Sequence, residues 1–393
     1  QAALDRAQRE TRKSEQVTRF LVDLFEEADP YQSAAHLSDT LTARELLDQG
    51  AARARQELSD QPEVQATMMY TLGRIYRQRG YHAEAASLLD DAISVQREHL
   101  PPTHPDRARS LHERARLLRY EGETKRAARL YQKSLSIQRR RFSDQHPDMA
   151  DNLRELGIIA AREGRYAQAD SLFRETLALL SALHGPDHPD VATALLTLGL
   201  LHVQKGELAE AERLLRRSLT IRRRHADADH PLLAETLDRL GQVLVKRGNL
   251  DEAEPLLREA RTILKELFPE VHPSRAVNLN NLGRLLQKTG EPVAADSLHQ
   301  KAQSIYQQLY GPTNLDAANT LYERAQVHQA LLDYGAAERF YEQAAAMQQS
   351  LHGPAHPATQ QSRKALVELY RAWGKPDKAD SLQSTLAAGP HHP

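Results

Sequence analysis

Histidine is the residue type in this sequence with the widest chemical range, because the chain has 18 histidines and no cysteine. Imidazole can ligate zinc or transfer a proton near neutral pH. His-Pro pairs recur at a constant spacing of 42 residues, at His104, His146, His188, His230 and His272, and return at His356 after a lapse at Asn314. Zinc ligands lie about 2 Å from the ion, whereas packed helices lie about 8–10 Å apart. Histidines one repeat apart cannot share an ion, so the series predicts a structural role and no metal site.

The other ionisable residues give little support to catalysis. No Ser-His-Asp set or isolated carboxylate pair stands out. Lysine plus arginine is 52 and aspartate plus glutamate is 53, so the net charge is −1, and no net field attracts nucleic acid or an anionic membrane. The sequence lacks an apolar run long enough to span a bilayer. We therefore expect a protein that is not an enzyme, needs no cofactor and binds no nucleic acid.

The histidine spacing is one of several series that repeat every 42 residues. An alanine series is unbroken, one glycine series lapses at Leu332, and a second glycine series has alanine at two positions. These residues are Ala85, Ala127, Ala169, Ala211, Ala253, Ala295, Ala337 and Ala379; Gly80, Gly122, Gly164, Gly206, Gly248, Gly290 and Gly374; and Gly73, Gly157, Gly199, Gly241 and Gly283 with Ala115 and Ala325. Series that share one phase indicate internal repeats, with eight copies over residues 59–386.

Each repeat predicts two antiparallel helices. In residues 188–228, Pro189 suits the first position of a helix, and apolar residues follow near a 3.6 period. Gly206 suits the left-handed backbone conformation that commonly ends a helix. A second apolar-periodic stretch runs from Leu208 to about Arg224. Glycine within a helix costs about 1 kcal/mol relative to alanine, so the recurring helical glycines and alanines indicate close approach of the two helices. The sequence thus predicts an all-α fold of helix hairpins.

The two ends differ from the middle. Residues 1–58 predict a polar N-terminal helix and a degenerate helical hairpin with a long loop over 28–40, and residues 387–393 predict a disordered tail. The first hairpin carries an apolar stripe, and the last helix has no successor to cover its apolar side. We therefore expect two unlike self-assembly ends, formed by Val17, Phe20, Leu21, Leu24 and Phe25 and by Ala379, Leu382 and Leu386. Such a heterologous contact does not close and gives head-to-tail filaments, so a self-assembling structural protein is one possible function.

Leu72-Gly73, Tyr76, Ala85, Leu89 and Ala92 resemble the pattern of the tetratricopeptide repeat. The Gly-Pro-x-His-Pro linker at 185–189 is similar to that of the 42-residue repeats of kinesin light chains and many bacterial proteins. The resemblance covers nearly all of residues 60–386. It implies a right-handed α-solenoid of antiparallel helix hairpins, which acts as a scaffold by binding a protein segment in a concave groove lined by the first helices.

A narrower resemblance covers residues 15–89. Segments 20–25, 42–48 and 61–65 resemble the repeat region that follows the membrane helix in bacterial serine/threonine protein kinases. This resemblance implies a kinase domain before Gln1 and an extracytoplasmic location, in the periplasm or at the cell surface. The chain itself has no Gly-rich phosphate loop, no HRD and no DFG, so we expect no kinase activity in it. Because it opens with Gln1 and not Met, we expect a processed product or a fragment.

If the first helices line a groove, as the resemblance implies, their polar side chains are candidate partner-binding residues. These are Arg74, Arg77, His112, Arg116, Arg119, Arg154, Arg239, Asn280, Asn281 and Arg284. Arginine pairs bidentately with carboxylates, and an amide both donates to and accepts from a peptide backbone. The set predicts a partner segment that is acidic toward the N-terminal repeats. Alternatively, the arginines pair with neighbouring acids such as Glu113 and Glu155 and form a solvated face.

Overall fold

The computed structural model describes residues 11, 14–20, 22, 42–141, 146–225 and 231–387, which form helices joined by short turns and contain no strand. The all-α prediction is therefore confirmed. Seventeen helices have defined bounds in this part of the chain: α1 (Ala43–Gln56), α2 (Pro62–Gln78), α3 (His82–His99), α4 (Pro105–Tyr120), α5 (Thr124–Arg141), α6 (Pro147–Arg162), α7 (Tyr166–His184), α8 (Pro189–Lys205), α9 (Leu208–His225), α10 (Pro231–Arg247), α11 (Leu250–Leu267), α12 (Pro273–Thr289), α13 (Pro292–Tyr310), α14 (Leu315–Ala330), α15 (Tyr334–His352), α16 (Pro357–Ala372) and α17 (Pro376–Ala387).

The chain forms two compact units, Gln1–Pro186 and Asp187–Pro393. In the first unit, the hairpins are α2–α3, α4–α5 and α6–α7, and the second helix of one hairpin packs on the first helix of the next. The second unit repeats this arrangement in the hairpins α8–α9, α10–α11, α12–α13, α14–α15 and α16–α17. The two-helix repeat that the periodicity predicts is therefore confirmed in each unit.

The His-Pro series marks the beginnings of first helices. Nδ1 of His104 accepts a hydrogen bond from the backbone N–H of Asp106 at 3.3 Å, which satisfies a donor that the helix leaves unpaired. The same cap occurs at His146, His188, His272 and His356. Where the series lapses, the side chain of Asn314 accepts from the N–H of Ala317 at 2.8 Å. The histidines therefore serve as helix caps, and His230 lies outside the described residues.

The glycine series at the ends of the first helices is explained by backbone conformation. Gly206 has φ 78°, and the N–H of Glu207 donates to the carbonyl of His202 at 2.9 Å, which closes the helix. Leu332 occupies the same position in its repeat with φ 60° and is the one residue other than glycine with positive φ in the described part of the chain. Its side chain is 69% exposed, so packing of that side chain does little to offset the cost of the left-handed backbone conformation.

The helical glycines and the alanines lie where the two helices of a hairpin meet. All eight alanines of the unbroken series, from Ala85 to Ala379, have 0% exposure. A Cβ added at Gly199 would lie 3.1 Å from Leu215, and one added at Gly157 would lie 2.4 Å from the ring of Phe173. Close approach is therefore the reason for both series, as the sequence predicts.

The described apolar residues of the two expected self-assembly ends are fully or partly covered by the chain itself. Phe20 is 7% exposed and packs with Ala51, Ala54 and Val64 in the first core cluster, and Val17 packs against the same cluster. Ala379 is fully buried, and Leu382 and Leu386 are half-buried against the last core cluster. The prediction that Ala379 faces solvent is wrong, because the first helix of the same hairpin covers it, and that helix also covers Leu382 and Leu386 in part.

Several expectations about the ends concern residues outside the described part of the chain. They include Leu21, Leu24 and Phe25, the loop over 28–40 and positions 388–393 of the tail. None of the described helices is long and apolar enough to cross a membrane.

Candidate functional site

The first helices form a common face within each unit. They contact one another directly, α2 with α4 in the first unit and α8 with α10, α10 with α12 and α12 with α14 in the second. Side chains one repeat apart on this face can therefore touch. Its polar residues are the candidate functional site.

In the first unit, this face holds two clusters in which one glutamate serves two arginines. The Glu113 carboxylate accepts from Nε of Arg77 at 2.9 Å and lies 3.5 Å from the Arg116 guanidinium. Glu155 lies 3.1 Å from Arg119 and 3.2 Å from Arg154. Both glutamate side chains are nearly buried, at 8% and 5% exposure.

The Glu113 cluster carries more positive than negative charge, because two guanidinium groups share one carboxylate, whereas Asp151 adds a second carboxylate to the Glu155 cluster. Arg116 and Arg154 keep 43% and 35% of their side chains exposed, although Arg154 also contacts Asp151 at 3.1 Å. The described side chain of Arg74 is exposed, and its guanidinium lies 5.6 Å from the ring of Tyr70. The pairing with Glu113 and Glu155 that the sequence offered as an alternative is therefore present, but it leaves the outer arginines accessible.

His112 and Asn152 connect the same face to the interior. Nδ1 of His112 lies 3.0 Å from Oδ1 of Asn152 and donates to it, while the Asn152 amide donates to Ser134 at 2.9 Å and to Gln138 at 2.8 Å. The His112 ring also packs edge-on against Tyr131. His112 is therefore engaged in an internal network instead of being presented to a partner.

In the second unit, the two asparagines expected to hold a peptide backbone are buried, and their amide groups form hydrogen bonds within the protein. Asn280 donates to Oγ1 of Thr320 at 2.9 Å and accepts from Nδ1 of His299 at 2.9 Å. Asn281 accepts from Arg284 at 3.1 Å and is 1% exposed. Their predicted role is contradicted, because the interior of the stacked first helices already uses their hydrogen-bonding groups. Arg284 is likewise paired, with Glu323 at 2.9 Å.

A buried carboxyl that sequence reasoning missed lies beside them. Asp238 is 3% exposed, and its Oδ1 accepts from Asn278 at 2.9 Å and from Asn281 at 3.4 Å. Burial raises the pKa of Asp238 to about 7, against the weaker opposing effect of those two hydrogen bonds. Burial also lowers the pKa of His299 to about 4. The repeat could have identified Asp238 from the sequence, because Asp238 occupies the position of Asn280 one repeat earlier.

The predicted site residues thus separate into groups. The structure brings Arg77, Arg116, Arg119 and Arg154 together around two glutamates, and it uses Asn280, Asn281 and His112 internally. Arg239 is half-buried on α10, next to Asp238. No group of three or more histidines, aspartates or glutamates among the described residues could hold a metal ion. Within the described part of the chain, the arrangement leaves the guanidinium groups of Arg116 and Arg154 exposed, and such groups can pair with carboxylates.

Solved structures with related folds are similar over large parts of this chain. The quorum sensor NprR from B. thuringiensis, in its apo form, is 13% identical, with 95% of this chain and 98% of that chain covered and a TM-score of 0.67. BtubC (BKLC) from P. vanneervenii is 22% identical, with 58% and 93% covered and a TM-score of 0.52. A putative kinesin light chain of Podosopora anserina is 25% identical, with 53% and 98% covered and a TM-score of 0.45. No curated protein matches the sequence.

The tetratricopeptide repeat family matches residues 65–140, 148–224, 206–266, 274–350 and 316–384. These matches extend over most of the chain and coincide with the hairpins described above. The chain therefore belongs to the tetratricopeptide repeat family.

Proposed function

We propose that the chain is a non-catalytic scaffold whose first-helix face, across α2, α4 and α6, binds an acidic segment of a partner protein. The observation that supports this proposal is the pair of clusters in which Glu113 and Glu155 each serve two arginines. The outer arginine of each cluster, Arg116 or Arg154, lies on the exposed side. Guanidinium forks bind carboxylates bidentately, so an acidic segment lying across successive first helices would pair with Arg116, the surplus cation of the Glu113 cluster, and would compete with Asp151 for Arg154.

The clusters also show which arginine to change. Arg77 has 19% of its side chain exposed and holds the buried Glu113 carboxylate at 2.9 Å. Removing it would leave a poorly compensated buried charge and would weaken the fold. Arg116 is more exposed and lies farther from Glu113, so Arg116→Gln leaves the Arg77–Glu113 pair in place. Arg154→Gln similarly leaves the Arg119–Glu155 pair.

A peptide array whose members differ in their number of aspartates and glutamates tests the proposal on the full chain. We expect binding to increase with the acidity of the peptide, and the Arg116→Gln/Arg154→Gln double variant to bind acidic members about tenfold more weakly, because each change removes a charge-assisted contact. Arg213→Gln is the matched control, since Arg213 is 62% exposed on α9 and pairs with Glu210 on the same helix. Binding that is indifferent to peptide acidity, or equally weakened by the control, would contradict the proposal.

The resemblance of residues 15–89 to kinase-associated repeats supports a further proposal, that the scaffold acts outside the cytoplasm of a bacterium as part of a serine/threonine kinase. Fusion of the native gene product to a reporter that is active only outside the cytoplasm tests the location. An active reporter is expected, and reporter activity confined to a cytoplasmic fusion would contradict it.

A further inference from the structure

Two cavities in the chain are the same structural feature at two places four repeats apart. One has a volume of about 700 Å³ and lies in the first unit among α3, α4 and α5. The other has a volume of about 580 Å³ and lies in the second unit among α11, α12 and α13. Nine lining positions correspond at a constant offset of 168 residues, among them Arg97 and Lys265, Arg107 and Arg275, and Lys133 and Lys301.

Three of the shared positions are cationic in both cavities. Arg97 and Lys265 lie on the second helix of one repeat, Lys133 and Lys301 on the second helix of the next, and Arg107 and Arg275 at the beginning of the first helix between them. Arg107 and Arg275 are held alike, each donating one N–H to the carbonyl that ends the preceding helix, at 3.4 Å to Leu100 and 3.3 Å to Phe268. Four further N–H groups of each guanidinium remain for other partners.

Three other junctions between repeats of this chain carry an ion pair at two of these positions. Residues 36 apart on consecutive second helices form an arginine–acid pair at three junctions: Arg55 with Asp91 at 2.7 Å, Arg139 with Glu175 at 2.5 Å and Arg223 with Glu259 at 2.5 Å. At the two cavities lysine stands at the position of the acid, so Arg97 and Lys133 line the first cavity together, and Lys265 and Lys301 line the second. Like charges that line one cavity repel each other. Arg97 and Lys265 lie near the C-termini of their helices, where the helix dipole favours a cation. Lys133 and Lys301 lie in the middle of α5 and α13, so the helix dipole does not explain them.

We infer that each cavity is an anion site that binds a small molecule carrying two or more phosphoryl groups. The cationic trio outnumbers the acids nearby, since Glu270 is the acid that lines the second cavity, and Asp90 in the first is paired with Arg114 at 3.0 Å. A multiply charged anion matches three cations better than the single charge of one carboxylate. The volumes lie in the range of small-molecule sites. The lining residues of both cavities are aliphatic and polar without an aromatic ring, so charge and not base stacking selects the ligand.

The test measures the binding of inorganic pyrophosphate to the full chain by isothermal titration calorimetry. We expect two sites per chain. Lys133→Glu should remove the first site and Lys301→Glu the second, each by about tenfold or more in affinity. Both substitutions install the acid that the chain itself uses at Glu175 and Glu259, so they should form an ion pair and keep the fold, which circular dichroism verifies. Lys364→Glu is the matched control, because Lys364 is exposed on α16 outside both cavities and undergoes the same change of charge.

Unchanged binding in the Lys133→Glu/Lys301→Glu double variant would overturn the inference, and so would the absence of pyrophosphate binding to the unaltered chain. A peptide rich in glutamate that binds at these lysines, when pyrophosphate does not, would also overturn it and would identify the cavities as contacts for a partner protein. The inference is independent of the first-helix face, since Arg116→Gln should leave pyrophosphate binding unchanged.

Discussion

The glycines inside the first helices allow a quantitative test of how closely the helices of a hairpin approach. Gly157 and Gly199 occupy the same position in successive repeats, but the residue opposite is Phe173 in one and Leu215 in the other. A Cβ at 157 would lie 2.4, 2.7 and 3.0 Å from three ring carbons of Phe173, which is 3% exposed. A Cβ at 199 would lie 3.1 and 3.2 Å from the Leu215 side chain.

Two effects decide the outcome of alanine substitution at these sites. Alanine gains about 1 kcal/mol of helix propensity over glycine at either position. At 157, the flat buried ring must shift as a whole, and overpacking of this kind costs about 1–3 kcal/mol. At 199, a small rotation of the leucine relieves the contact. We therefore expect Gly157→Ala to destabilise the first unit by up to about 2 kcal/mol and Gly199→Ala to be neutral or slightly stabilising.

Stability is best measured locally, because unfolding of repeat proteins is only approximately two-state. Hydrogen exchange of the amides of α6 and α7 reports the free energy of local opening for Gly157→Ala, and that of α8 and α9 reports it for Gly199→Ala. Adding Phe173→Leu to Gly157→Ala completes a double-mutant cycle and reproduces the pairing of the next repeat. In that background the alanine should no longer destabilise. Equal effects at 157 and 199, or a cycle without coupling, would refute close approach as the reason for glycine.

Three further predictions concern single residues. Leu332→Gly should raise the free energy of unfolding in denaturant by about 0.5–1 kcal/mol, because relief of the left-handed conformation (about 1–2 kcal/mol) exceeds the added entropy of unfolded glycine (about 0.4–1 kcal/mol); a loss of stability would show that the backbone is unstrained. Asp238 has a folded pKa of about 7 against an ordinary value of 3.8, so the folded state binds the extra proton between these values and stability falls as pH rises through that window, by up to about 4 kcal/mol. Asp238→Asn keeps the acceptor oxygen and should remove this slope in denaturation curves recorded across the window, whereas an unchanged slope would assign it to other groups. Ala211→Leu should lower the melting temperature with a cost of about 1–3 kcal/mol, since Ala211 is fully buried where α8 meets α9; an unchanged melting temperature would contradict tight pairing there.

The hairpin architecture was predictable because it depends on local, repeated constraints. The residue that ends a helix in the left-handed backbone conformation is best a glycine, as at Gly206, and a close contact between helices needs a small residue, as at Ala211. The same residue types therefore recur at the same position of each repeat. The structural role of the His-Pro series was also predictable from spacing. The way in which histidine performs that role, by accepting a backbone N–H through Nδ1, was not, because it depends on the rotamer at the helix start.

The binding residues were less predictable, because residue type alone does not distinguish an exposed side chain from one used internally. Arg116 and Asn280 were equivalent candidates in the sequence, yet the first is accessible and the second is enclosed by Thr320 and His299. The ends of the array show the same limit, since Phe20 and Ala379 have the apolar character of a contact surface but are covered by helices of their own chain.

The sequence by itself determined the repeat length, the two helices of each repeat and the small residues at their contact, since each of these follows from backbone geometry within one hairpin. Only the tertiary structure decided which charges compensate one another. Glu113 meets Arg77 from the preceding repeat, while Arg97 has Lys133 at the position where Glu175 supplies an acid partner to Arg139 one repeat later. These charge pairs form between helices of different repeats, because the environment of each side chain depends on the residues of the adjacent repeat.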